Sequence, residues 1–185
     1  NDITLAGHSE GGLIALDLAT TASPAVLALL APPGERYLDT IRLQLVDAAL
    51  PAETLADFDA LAAEIRSTGS IAVPSTNPQL VALFDPAVAT FLADADTRDP
   101  PTLLANVSAS TDVLLLCGSV DVQIPCGSLD ALRDAAPEGL VDRRLDGVNH
   151  VLRESGASGA ISTYTDPASP HSTDAGDALV ELVRR

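Results

Sequence analysis

Gly7-His8-Ser9-Glu10-Gly11 is the stretch of this 185-residue chain whose residue types and spacing could do chemistry. A serine hydroxyl is a poor nucleophile until a base takes its proton, and the base needs an orienting carboxylate. Gly-x-Ser-x-Gly alone is a weak signal, and a plain glycine turn is the ordinary reading of it. Here a short apolar run, Ile3 to Ala6, stops at Gly7, and an alanine- and leucine-rich helical pattern begins after Gly11. Strand, tight turn and helix form the setting that lifts a serine to the carboxyl edge of a sheet. Side chains at Gly7 and Gly11 are expected to collide with the neighbouring strand and helix, and the turn residue is expected to carry strain. Free amides at the helix start could stabilise negative charge.

The partners of such a serine are sought beyond other strand ends, where catalytic groups of strand-helix folds collect. Asp112 to Cys117 is the strongest strand pattern in the chain; Gly118 ends it and Asp121 follows. Asp146 is a rival, near the end of the next strand and four residues before His150, but Asp121 is favoured. A turn Asp is the ordinary reading of Asp121. Of the three histidines, His8 lies inside the elbow, too close in the chain to turn onto Ser9, and His171 lies in a loop rich in Pro and Ser. His150 follows the strand Leu140 to Leu145 and is the favoured base. A lone loop His is usually only solvated; the order Ser, Asp, His raises this one above that reading.

The elements that must position these residues follow an α/β rhythm. Ala25 to Leu30 is a continuous apolar run, the mark of a strand covered on both faces in a parallel sheet. Helices are read over Gly11 to Thr21, Pro101 to Val107, Ser128 to Ala136 and Asp174 to Val183, and Ser155 to Pro170 reads as loop. Between Gly34 and Asp99 no strand signal occurs. That stretch offers amphipathic helices over Tyr37 to Leu50 and from Pro51 to Gly69, then two short ones near Gln79 to Phe84 and Pro86 to Ala93. The expected organisation is a core at 1–33 carrying the elbow, a helical insertion at 34–99 lying over one end of the sheet, and a core at 100–185 carrying the acid and histidine loops.

Composition narrows the partners. The formal net charge is −16, and all ten basic residues are Arg. Such a surface repels nucleic acid and anionic lipid. No 18-residue apolar run is present, so no membrane span is expected. Cys117 and Cys126 cannot form a metal site alone; they are read as a free buried pair, with a disulfide across the intervening loop as the alternative. No cofactor or metal is expected. The chain opens on a strand at Asn1, which suggests that an N-terminal part is missing and leaves localisation unreadable.

The phrases GHSEGG, GSVDVQIP and GVNHVL, carrying Ser9, Asp121 and His150 in that order, resemble the α/β-hydrolase superfamily. They are most similar to bacterial serine aminopeptidase-like hydrolases, many of them esterases. The resemblance covers the whole chain and implies the C-terminal part of an α/β-hydrolase fold with a helical cap. It implies a Ser9-His150-Asp121 triad, with one oxyanion-hole donor at the Glu10 backbone N–H. The second donor would come from a loop after an earlier strand, absent from this chain together with the N-terminal half of the core. The implied reaction is cleavage of a small ester through an acyl-enzyme. A serine aminopeptidase acting on a peptide-like substrate and a catalytically inactive binding module or fragment are the alternatives.

Overall fold

A computed structural model describes residues 3–157, 159 and 161–184. Asn1, from which a missing N-terminal part was inferred, lies outside the described residues. The elements run β1 (Thr4–His8), α1 (Glu10–Ala22), β2 (Val26–Leu30), α2 (Tyr37–Asp47), α3 (Ala52–Thr68), α4 (Ala89–Asp96), α5 (Pro100–Ala105), β3 (Asp112–Gly118), α6 (Asp130–Ala135), β4 (Val141–Leu145) and α7 (Thr173–Val183). Short 3₁₀ turns lie at Pro86–Val88, Cys126–Leu129 and Ile161–Tyr164. The chain divides into two compact units, one of Asn1–Glu35 with Pro100–Arg185 and one of Arg36–Asp99.

The first unit is built on a parallel four-stranded sheet in the order β1-β2-β3-β4. All five residues of β2 and six of the seven in β3 are buried. Their leucines alternate between two cores. Leu27, Leu29 and Leu115 pack with Ala15 and Leu16 of α1, Leu104 of α5 and Leu132 of α6. Ala28, Leu30, Leu114 and Leu116 pack with Ala175, Ala178 and Leu182 of α7. A sheet covered on both faces is what continuous apolar strands require. Each fully buried leucine contributes about 1.5–3 kcal/mol. At the end of the order, β4 exposes Asp142, Arg143 and Arg144. On α1, by contrast, Ile14 and Leu18 point outward, at 61% and 49% exposure.

Register sets the stage for the site. His8 pairs with Leu30, Leu30 with Leu116, and Gly118 with Leu145. The carboxyl ends of all four strands therefore finish at one edge. The ladder runs one residue further, through Ser9 N–H to Leu30 O (2.9 Å), Ala31 N–H to Leu116 O (2.7 Å) and Ser119 N–H to Leu145 O (2.8 Å).

The second unit is helical. Leu38 of α2, Phe58, Ala62 and Ile65 of α3, and Leu92 of α4 share one core with Leu80 and Phe84. The helix expected near Gln79 to Phe84 is instead a run of turns. Leu80 and Val81 N–H both bond to Asn77 O, and Phe84 N–H bonds to Leu80 O. The next helix starts three residues later than expected, after the 3₁₀ turn, and runs on to Asp96. The polar centre of this unit is Asp96, 1% exposed. Its carboxylate accepts from Arg66 Nε (2.7 Å) and Leu38 N (2.9 Å) and pairs with Arg36 Nη2 at 3.1 Å. Hydrogen bonding to Asp96 holds the Arg66 guanidinium above its ordinary range.

Candidate active site

The elbow begins with Ser9 at φ 55°, ψ −128°, immediately before α1. A non-glycine residue in that region costs on the order of 1–3 kcal/mol and persists only where its surroundings enforce it. Gly7 is one such enforcement: a Cβ there would lie 2.1 Å from Gly11 O. The expectation for Gly11 is corrected, since a Cβ at Gly11 would meet nothing within 4 Å. The second tight approach is at Gly12, where a Cβ would sit 2.8 Å from Pro32 Cβ. Glu10 is the first residue of α1. Helical geometry leaves its N–H without an intrahelical acceptor, at the positive end of the helix dipole.

Beyond β3, the acid loop turns back on itself. Asp121 is 6% exposed, and its Oδ1 accepts from Gln123 N and Ile124 N, both at 2.8 Å. Those two bonds fix the carboxylate and leave Oδ2 facing His150 Nδ1 at 2.8 Å. On the other side of the ring, His150 Nε2 lies 2.9 Å from Ser9 Oγ. A carboxylate only accepts, so Nδ1 carries the ring proton and Nε2 is left to accept from the serine O–H. His150 is 4% exposed, so its ring lies almost wholly out of water.

The structure thus brings Ser9, Asp121 and His150 together and leaves the rivals outside. Asp146 accepts from Ser119 Oγ at 3.0 Å, while Ser119 Oγ accepts from Gly147 N at 2.9 Å. Asp146 therefore latches the acid loop to the histidine loop. His171 is exposed and bridges to Arg153 through the backbone. His8 does not bond Ser9. Its Nε2 donates to His150 O at 2.7 Å, with the two rings 4.9 Å apart.

Two further features hold the loops of this site, one weighed in the sequence as an alternative and one missed there. Cys117 and Cys126 are joined in a disulfide, which corrects the reading as a free pair. It closes the loop that carries Asp121; the nine-residue spacing was the signal. Asn149, fully buried, accepts at Oδ1 from Val151 N (3.1 Å) and Arg153 N (3.0 Å) and shapes the turn holding His150. An Asn directly before the loop histidine was the available cue.

Among the described residues no cluster of His, Cys, Asp and Glu could hold a metal, and no helix is long and apolar enough to cross a membrane.

No protein-family model matches the sequence, and no curated protein matches it. Solved structures do. The monoacylglycerol lipase of Paleococcus ferrophilus aligns over 98% of this chain and 68% of its own, at 19% identity and a TM-score of 0.56. The Pyrococcus furiosus esterase Pf2001 aligns over 99% of this chain and 53% of its own, at 13% identity and a TM-score of 0.55. Acetyl xylan esterase 1 from Thermoanaerobacterium aligns over 98% and 44%, at 16% identity and a TM-score of 0.51. The chain therefore spans about half to two thirds of the length of these structures. These likenesses, with this chain's own parallel sheet flanked by helices, show the α/β-hydrolase fold over that part of their length.

Proposed function

We propose that this protein is a serine hydrolase of small carboxylic esters, with Ser9 as nucleophile, His150 as general base and acid, and Asp121 as the orienting carboxylate. The observation that carries this reading is the continuous relay from Ser9 Oγ through the His150 ring to Asp121, with neighbouring distances of 2.9 and 2.8 Å. Three groups meeting at the carboxyl edge of a parallel sheet, from loops 112 and 29 residues apart, have no structural need to do so.

In this mechanism His150 Nε2 takes the proton of Ser9 as Oγ attacks the acyl carbon. The carbonyl oxygen gains negative charge, and the Glu10 N–H stabilises it. Asp121 supports the imidazolium without taking its proton. Collapse of the intermediate breaks the acyl–oxygen bond. His150 returns the proton to the departing alcohol, and the acyl group stays on Ser9. Water then enters by the same route: His150 takes its proton, the acid leaves, and Ser9 recovers its hydrogen. In this reading the helical unit, Arg36–Asp99, is a cap that selects the acyl group.

A fluorophosphonate probe should label the wild-type protein at Ser9. Ser9→Ala should abolish labelling and lower ester turnover by on the order of 10⁶. A variant that kept a tenth of the wild-type rate would remove Ser9 from the mechanism. Comparing nitrophenyl esters with aminoacyl anilides separates an esterase from an aminopeptidase.

A further inference from the structure

The loop beyond His150 holds residues that touch both arms of the relay. Thr163 Oγ1 accepts from Asn149 Nδ2 at 2.9 Å. Asn149 is the residue that shapes the turn around His150. The next residue, Tyr164, meets the other arm: its OH accepts from Gln123 Nε2 at 3.2 Å. Gln123 is in turn one of the two backbone donors that fix Asp121. Further back, Gly159 at φ 55° presses on the same loop, where an added Cβ would lie 2.0 Å from Val120 O. Burial pushes the Tyr164 phenol above its ordinary pKa, and the nearby Asp121 charge adds to this.

We propose that Thr163 and Tyr164 are positioning residues, forming a strap that sets the His150 to Asp121 geometry from outside the relay, through Asn149 on one side and Gln123 on the other. The proposal rests on the triad reading above. Its physical basis is that the acid and the base sit on two separate loops beyond strand ends, the part of such a fold most free to move. A displacement of about 1 Å in a catalytic group can cost on the order of 10² in rate. Two neighbouring side chains on a single 3₁₀ turn, Ile161–Tyr164, tie both loops to one short segment. Neither residue donates or accepts a proton in the reaction; both act through the backbone turns they hold.

The test uses Thr163→Val and Tyr164→Phe, singly and together. Each deletes one hydroxyl and keeps the side chain's bulk. Two readouts are taken: the rate of fluorophosphonate labelling at Ser9, and the downfield proton resonance of His150 Nδ1–H. The double variant should label about 10- to 100-fold more slowly, with KM for a nitrophenyl ester little changed. Its Nδ1–H resonance should broaden or move upfield. Thr163→Ser, which keeps the hydroxyl, should restore the wild-type resonance and rate to within about twofold. If the double variant does not fold, the single variants decide by the same readouts. A folded variant with wild-type resonance and labelling rate would overturn the strap. The resonance is read whether or not the protein cleaves esters. Failure of the wild-type protein to label would therefore count against the hydrolase reading, and an unmoved resonance would count against the strap.

Discussion

In the sheet unit the buried carboxylate is Asp121, held by two backbone N–H groups and a histidine. In the helical unit it is Asp96, held by one backbone N–H and two guanidinium groups. Both are nearly removed from solvent, yet their partners give them different chemistry. An arginine stays protonated throughout the working range, so nothing on the Asp96 network can carry a proton in or out. An imidazole offers one ring nitrogen that donates and one that accepts, so the Asp121 network has a proton-accepting atom that the Asp96 network lacks. A buried carboxylate is thus read by what faces it. Against fixed cations it fastens elements together, and against an imidazole, in the proposed mechanism, it supports proton transfer.

The contrast can be broken most severely at the acid. Asp121→Asn should cut ester turnover by about 10⁴, because an amide can hold His150 in the wrong tautomer. Asp146→Asn should cost less than about tenfold, since Asp146 serves as a latch to Ser119. Equal losses from the two substitutions, seen in steady-state kinetics, would exchange their roles.

At Asp96 the expected damage is to stability. Asp96→Ala removes the carboxylate that Arg36 and Arg66 share, leaving Arg66 paired only with Asp39, and should destabilise the helical unit by about 2–4 kcal/mol. The figure sits at the lower end for a buried pair because both arginines reach solvent, at 39% and 33% exposure. If that unit is the cap, the variant should also change ester chain-length preference while Ser9 still labels with the fluorophosphonate. Unchanged melting of the variant would show that Asp96 is not the unit's anchor.

The corresponding fastening in the sheet unit is covalent. Replacing Cys117 and Cys126 by Ala should destabilise it by about 2–3 kcal/mol, the loop-closure value for a ring of this size. Calorimetry with and without a reductant checks this: the wild-type protein should melt lower when reduced, and the double variant should not respond.

The smallest effect is expected on the surface of the helical unit, where Arg42 Nε and Nη2 meet the two oxygens of Asp59. Hydrogen bonding to Arg42 holds the Asp59 carboxyl below its ordinary pKa. Folding therefore favours the ionised form. The stabilisation is complete above the ordinary carboxylate pKa and is lost as pH falls through the lowered one. Asp59→Asn should slightly flatten the acid limb of the melting-temperature profile, and added salt should shrink the difference. A profile identical to wild type would show the pair contributes nothing.

Much of this was legible in one dimension. The continuous apolar run Ala25 to Leu30 announced a strand covered on both faces, and Asp112 to Cys117 announced the strongest strand. The glycine-bounded Ser9 announced the strained turn. Asp121 and His150 were legible because each follows its strand directly, and parallel strands bring their carboxyl ends to one edge whatever lies between. These are local properties, set by side-chain period and by turn chemistry. The helix expected near Gln79 to Phe84 failed for the opposite reason: a weak local preference yielded to turns anchored at Asn77.

What tertiary structure alone decided is the pairing of side chains across long separations. His8 reaches the His150 carbonyl 142 residues away, Asp96 gathers Arg36 and Arg66, and Thr163 meets Asn149. Gly12, not Gly11, proved to be the second crowded glycine, because Pro32 returns beside it. The two cysteines joined because the acid loop folds back to bring their Cα atoms within 5.6 Å. Residue types and spacing define which groups are available and which element each stands on. The distance between two such groups depends on strand register and loop path, and these are fixed only when the whole sheet has packed.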